Sequence, residues 1–338
     1  MSTATFVPVH PLGSHGPDVS ALGVGTWALG GPWTFNGRDA GWGAVDDDVS
    51  IAALHAAIDH GVRVIDTAGS YGAGHSEQVI GRALRQLPSS VRDQIVVSTK
   101  FGLVFDETTR RGGGEDVSSA AIRRQSADSL RRLGTRAIDV LQLHGGARDG
   151  THAEEIVTTL EKLVTDGTIR WFGTAQDDAA VIDVFARSAH CLTVQTQVNV
   201  FGWSSAVLDL AQSHGLSVLA RSPLAMGLLS GRYTTDRRPA AGDVRLDTPY
   251  WDYFDEGTMD QWLSRLAAVR ELLTADGRTL IQGALGYLWS VNPAIIPLPG
   301  IRTVAQAEEN ATTLALGPLP PDVAAEVTTL LADSPERR

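Results

Sequence analysis

The sequence predicts a single (β/α)8 barrel, and three observations carry that reading. Short β-branched runs alternate with longer amphipathic runs, eight times over. The strand-like runs are apolar and separated by helices, as in a parallel sheet covered on its outer face. The glycine-rich turn of a doubly wound dinucleotide fold is missing after the first run, where Gly23-Val-Gly25-Thr-Trp-Ala-Leu-Gly30 has a different spacing.

The elements follow in order. Residues 21–27 (ALGVGTW) form the first strand, and 48–60 a helix with Ile51, Leu54 and Ile58 on one face and Gly61 as its stop. The second strand is 62–68 (VRVIDTA), followed by a helix over 76–87 striped by Val79, Ile80, Ala83, Leu84 and Leu87. Strands at 95–101, 138–144, 169–175, 193–199 and 217–222 each precede a helical run. Those helices lie at 118–133, 153–166, 178–189 and 206–214, then near 259–274 and 279–290, and Gly134, Gly167 and Gly215 end three of them. The eighth strand is 294–299 (AIIPLP), and its helix is 303–313. One domain over 1–338 is expected, with a core over about 20–315 and a helical tail at 317–338.

Long loops after strands one, three and seven break the rhythm, at 30–48, 104–117 and 231–257. All follow strand C-terminal ends, where barrel active sites are built. The first carries Trp33 and Trp42, and the last carries Trp251. With Trp27, these tryptophans are the candidate walls of a substrate pocket. No segment marks an oligomer interface.

Composition excludes other classes. Of 338 residues, 43% are hydrophobic and 20% charged, as in a globular protein. Acidic residues outnumber basic ones by 39 to 28, and the net charge of −11 repels nucleic acid and anionic membrane surfaces. Cys191 stands alone, which excludes an internal disulfide and a zinc site of several thiolates. The first twenty residues have no signal-peptide pattern, and no apolar run approaches the ~20 residues of a membrane span. A cytoplasmic location is expected. No motif for a metal centre, Walker loop or serine nucleophile is present.

Four ionisable residues sit at or just past adjacent strand tips: Asp66, Tyr71, Lys100 and His144. A lysine inside a run as apolar as IVVSTKF needs a partner, and Asp66 is the candidate. A neighbouring ammonium lowers a phenol's pKa and makes Tyr71 a usable general acid. His144 is placed to hydrogen-bond a substrate oxygen. Such a set suits carbonyl reduction when a cofactor supplies hydride.

These residues lie in blocks that resemble the aldo-keto reductase superfamily. VRVIDTAGSYGAGHSEQVIGRAL (62–84) resembles its active-site signature, and VSTKFG, IDVLQLH, SPLAMGLLSGRY and PGIRTVAQAEEN follow in that superfamily's order. The resemblance implies that Tyr71 is the general acid, that Lys100 lowers its pKa, that Asp66 pairs with Lys100, and that His144 positions the carbonyl. It implies NADPH, less often NADH, bound across the barrel mouth. Gly25, Thr26, Trp27 and Asp66 are then expected near the nicotinamide, with Gln195 on the carboxamide. Ser222, Pro223, Leu224 and Arg232 are expected along the pyrophosphate. Gly300 and Arg302 are expected at the adenosine phosphate, and Gln306, Glu309 and Asn310 at the adenine. An arginine fork at a helix start suits a 2′-phosphate, which favours NADPH.

Two positions depart from the superfamily's pattern. Ala175-Gln176 replaces a Ser–Asn pair, leaving Gln176 to supply the amide contact, and Arg221 stands where an aromatic ring usually stacks on the nicotinamide. The resemblance thus implies an NADPH-dependent reductase of a small-molecule aldehyde or ketone, such as a sugar or a ring-shaped carbonyl. A cofactor-sensing accessory subunit, an imine reductase and an alcohol dehydrogenase are the alternatives on the same fold.

Overall fold

The computed structural model describes residues 9–146, 149–248 and 250–335. The reading of the N-terminus for residues 1–8, and that of the tail for 336–338, lie outside the described residues. Eight strands form the barrel: β1 (Gly23–Gly25), β2 (Val64–Asp66), β3 (Val96–Phe101), β4 (Ile138–Leu143), β5 (Ile169–Thr174), β6 (Cys191–Asn199), β7 (Ser217–Arg221) and β8 (Ile295–Pro297). They pair in sequence order, every pairing parallel. The ring closes where the Gly25 amide donates to the Pro299 carbonyl at 3.0 Å beside a parallel bridge to Gly300. The (β/α)8 expectation holds.

The helices start and stop where short side chains allow. Asp46, Ser118, Asp149, Asp178, Ser204 and Thr303 each accept from backbone amides of the first turn of the helices that follow them. Thr279 and Gln282 form a reciprocal capping box at the start of the helix Leu280–Val291. Gly61, Gly134, Gly167 and Gly215 all have positive φ, as their reading as stops requires. In the tail, Pro321–Leu330 is a helix that buries Val327.

Inside the barrel the side chains change character from bottom to top. Inward positions recur every second residue: Val64 and Asp66 on β2, Val96, Ser98 and Lys100 on β3, Val140 and Gln142 on β4. The lower members join Leu219, Ile296 and Leu298 in one apolar cluster. An antiparallel hairpin, Val9–Pro11 with Asp18–Ser20, contributes Leu12 and Val19 to that cluster. The upper members are the buried polar residues of the site.

The loops after β1 and β3 are more ordered than expected. They pair into a four-stranded sheet of Thr34–Phe35, Arg38–Asp39, Leu103–Asp106 and Arg111–Glu115. Strands of two residues, and one built on three glycines, carry no hydrophobic period. The one legible signal was Asn36-Gly37, both at positive φ, between the first two strands.

Closure of the ring depends on the absence of a side chain at Gly25. An added Cβ there meets the Leu298 carbonyl oxygen at 2.8 Å. Gly25→Ala is expected to lose about 1–3 kcal/mol in urea unfolding. Gly150→Ala, whose Cβ meets Val184 only at 3.7 Å, should stay within about 0.5 kcal/mol of the parent. Equal midpoints for the two variants would contradict this account of the seam.

Candidate active site

The centre of the site is a buried ion pair. Lys100 Nζ donates to Asp66 Oδ2 at 2.6 Å, to the Thr67 carbonyl at 2.7 Å and to the Tyr71 hydroxyl at 3.4 Å. The other carboxylate oxygen, Asp66 Oδ1, accepts from Gln195 Nε2 at 2.9 Å and Gln142 Nε2 at 3.2 Å. Gln142 also donates to Ser98 Oγ at 2.7 Å. The Tyr71 and His144 rings meet edge to face at 6.3 Å, so the quartet expected from the sequence is assembled at one mouth.

Tyr71 is held there by its loop. Gly30 and Gly72 pass backbone to backbone, so close that a Cβ on Gly72 would lie 1.8 Å from the Gly30 carbonyl oxygen. Thr26 Oγ1, Ser76 Oγ and Thr67 Oγ1 form a buried chain of hydroxyls behind the loop. Beneath them Arg132 Nε donates to Glu77, whose other oxygen accepts from Thr99 at 2.6 Å.

Electrostatics set the protonation states. Burial pushes the Tyr71 phenol above its ordinary value, and Lys100 only partly opposes this. The Lys100 charge acts in the lowering direction expected from the sequence, but removal from water outweighs it. Burial alone would lower the Lys100 pKa, but Asp66 and then Tyr71 reverse this and raise it. Burial, Lys100 and Arg221 together push His144 down to about 3. Its imidazole is thus neutral across the physiological range, a hydrogen-bond donor with no charge.

The residues expected around a cofactor divide into two groups. The Ser222–Met226 segment holds three non-glycine residues at positive φ, Ser222, Ala225 and Met226. Such strain persists only where the surroundings impose it. A Cβ on Gly300 would have no neighbour nearer than 4.0 Å, and Arg232 is exposed. Open backbone at a helix start, a strained turn and exposed arginine fit a dinucleotide's phosphates. Pro223 is buried, and Leu224 and Glu309 are half-buried.

Other residues are turned toward the protein. Thr26 is fully buried, and its hydroxyl donates to the Asp66 carbonyl at 2.9 Å. Gln306 Oε1 accepts from the Arg302 amide, and Asn310 Nδ2 reaches the Gly300 carbonyl at 3.5 Å. Arg302 donates to the carbonyls of Trp42 and Ala44. Arg221 pairs with Asp177 at 2.6 Å, and Asp177 in turn accepts from Thr196 at 2.6 Å. Beside that pair, the Gln176 backbone N–H donates to Thr174 Oγ1.

Three of the four candidate tryptophans come together. The Trp27 ring lies 5.2 Å from that of Trp42, 6.2 Å from that of Trp251 and 6.4 Å from that of Tyr71. Trp33 is buried instead against Phe35 within the small sheet. Gln142 and Ser98 were missed by sequence reasoning. The period-2 rule finds both, since Gln142 lies two residues before His144 and Ser98 two before Lys100. Arg245 was also missed, and no sequence signal marks it.

Comparisons with known proteins agree with the fold and identify relatives. A family model described as the aldo/keto reductase family matches residues 21–332. The NADH-specific methylglyoxal reductase of Escherichia coli is 30% identical over 315 residues, 90% of this chain and 92% of that protein. The solved glycerol dehydrogenase of Gluconobacter oxydans superposes with a TM-score of 0.80 at 29% identity, covering 99% of this chain and 98% of that one. An aldo-keto reductase from Klebsiella pneumoniae, solved in complex with NADPH, superposes with a TM-score of 0.70 at 27% identity, covering 96% of each chain. Among the described residues no helix is long and apolar enough to cross a membrane.

Two expected outcomes follow from the site. The pH profile of turnover should show no limb near the ordinary histidine value of about 6.5, because His144 charges only near 3. A limb there that vanishes in His144→Gln would refute the neutral imidazole. Gln142→Leu removes one donor from a buried carboxylate and should slow turnover about tenfold, the equivalent of ~1.4 kcal/mol, in a steady-state assay.

Proposed function

The chain belongs to the aldo/keto reductase family and is an oxidoreductase, and from that premise we propose that it reduces an aldehyde or ketone to an alcohol with NADPH, Tyr71 giving the proton. The observation that carries this reading is the Tyr71 hydroxyl beside the Lys100–Asp66 pair and the neutral His144. The nicotinamide, when bound, supplies hydride to the carbonyl carbon. This chain's residues handle the oxygen and the proton. His144 donates a hydrogen bond to the carbonyl oxygen and keeps its proton. Tyr71, protonated before the reaction, passes its hydroxyl proton to that oxygen as negative charge gathers there. Lys100 stays charged against Asp66 and stabilises the phenolate left behind until solvent reprotonates it.

The residues suited to hold the cofactor are Gly25, Trp27 and Gln195 near the ring, Ser222–Leu224 and Arg232 along the pyrophosphate, and Gly300 and Arg302 at the adenosine end. Gln195 spends its amide nitrogen on Asp66, which leaves its oxygen for a carboxamide. Arg302 supports NADPH over NADH, although one relative is named NADH-specific. Trp27, Trp42 and Trp251 are the substrate walls, flat surfaces that suit a ring or a short sugar. The likeness to a glycerol dehydrogenase favours a second direction, in which phenolate takes the proton of an alcohol.

The test is reductant consumption with 4-nitrobenzaldehyde for the parent chain and Tyr71→Phe. The variant should retain NADPH binding and lose about 10²- to 10⁴-fold in turnover. Equal turnover would sink the proton-donor role. NADPH binding with no NADPH consumed by any aldehyde or sugar, and no NADP+ reduced by any alcohol, would favour an accessory subunit.

A further inference from the structure

Trp42 sits between Gly41 and Gly43 in the loop after β1, and Gly43 has a φ of +78°. A segment of this kind has little conformational preference of its own. Its fixed position therefore comes from other parts of the chain. The Arg245 guanidinium, in the long loop after β7, lies 4.3 Å from the centroid of the Trp42 ring. Arg245 is itself fixed, since its Nε donates to the Met226 carbonyl at 2.7 Å and its Nη1 pairs with Asp243 at 2.7 Å. The backbone of Trp42 has a second anchor. Arg302 Nη1 donates to the Trp42 carbonyl at 3.1 Å, and Arg302 Nη2 donates to the Ala44 carbonyl at 2.7 Å. Two carbonyls two residues apart match the planar fork of a guanidinium, which is pre-organised to meet both.

We propose that Arg302 is a positioning residue for substrate selection, fixing the Trp42 wall of the mouth from the head of the last barrel helix. A residue placed to meet the adenosine end of a cofactor thereby also sets the space beside Trp27. Each terminal nitrogen of Arg302 uses only one N–H on the loop, so holding Trp42 and meeting an anion are compatible. The consequence for selection rests on the carbonyl-reductase reading, whereas the hold on the loop does not.

The test separates the two. Hydrogen exchange on the cofactor-free protein is compared for the parent, Arg302→Ala and Arg302→Lys. Exchange over residues 40–46 should quicken about tenfold in Arg302→Ala, with only partial recovery in Arg302→Lys. Steady-state kinetics with 4-nitrobenzaldehyde are then run separately with NADPH and with NADH, which lacks the 2′-phosphate. In Arg302→Ala the aldehyde KM should rise about fivefold with both cofactors, more than kcat falls. Trp42→Ala should reproduce that rise, and the double variant should be no worse than Trp42→Ala alone. Unchanged exchange over 40–46, or a KM change confined to NADPH, would overturn the proposal and leave Arg302 a reader of phosphate. A parent chain inert toward every aldehyde would refute the reductase reading, and the exchange result alone would then decide whether Arg302 holds the loop.

Discussion

An ammonium and a carboxylate held 2.6 Å apart inside the barrel are the constraint on which the mouth is built. Taking two such charges out of water costs several kcal/mol each, so every remaining lone pair and proton must be matched. Asp66 manages this with three donors, Lys100, Gln142 and Gln195, from three different strands. Lys100 spends two of its protons at 2.6 and 2.7 Å and directs the third at the Tyr71 hydroxyl at 3.4 Å. The proposed chemistry falls on the least committed of these bonds. A donor already satisfied elsewhere could not strengthen its hold on an oxygen as charge develops there, and this one can.

The same burial bears on the part proposed for Tyr71. With its pKa raised by burial, the phenol would enter the proposed reduction protonated. Lys100 then matters mainly after the proton has left, when a phenolate lies beside it. His144 follows a parallel logic: two nearby cations and burial keep it neutral, so it can orient an oxygen without competing to protonate it. Two groups that are both potential acids at neutral pH are thus given separate roles by their surroundings.

The frame of the molecule was legible because its signals are local. Apolar strand runs, amphipathic stripes, caps such as Ser118 and stops such as Gly134 each report on their own neighbourhood, and the strands and helices fall within a few residues of their expected bounds. The ionisable quartet was legible because adjacent strand tips converge by topology alone. What was not legible depends on distant contacts. Thr26 has the position of a cofactor ligand, yet its hydroxyl is consumed by the Asp66 carbonyl and Ser76. Asp177 commits Arg221 from the loop after β5, two strands away, and Trp33 disappears against a sheet whose strands are too short to show a period. Gln142 is the exception, since period two points to it and attention to charged residues alone passed over it.

The mouth is built in two different ways on its two sides. Around Tyr71 the contacts are backbone on backbone at Gly30 and Gly72, with buried hydroxyls and the Glu77–Arg132 pair behind them. Few substitutions can be absorbed there, because a changed side chain meets main chain that cannot move aside. Around Trp42 and Trp251 the contacts are side chains far apart in sequence: Arg245 and Arg302 from loops, and Gln197 from β6. Each of these can be exchanged without moving a strand. In the proposed reduction, this division would keep one proton-transfer geometry while the substrate side varies. The rigid side holds the acid in place, and the side built from loop contacts is free to change what is brought to it.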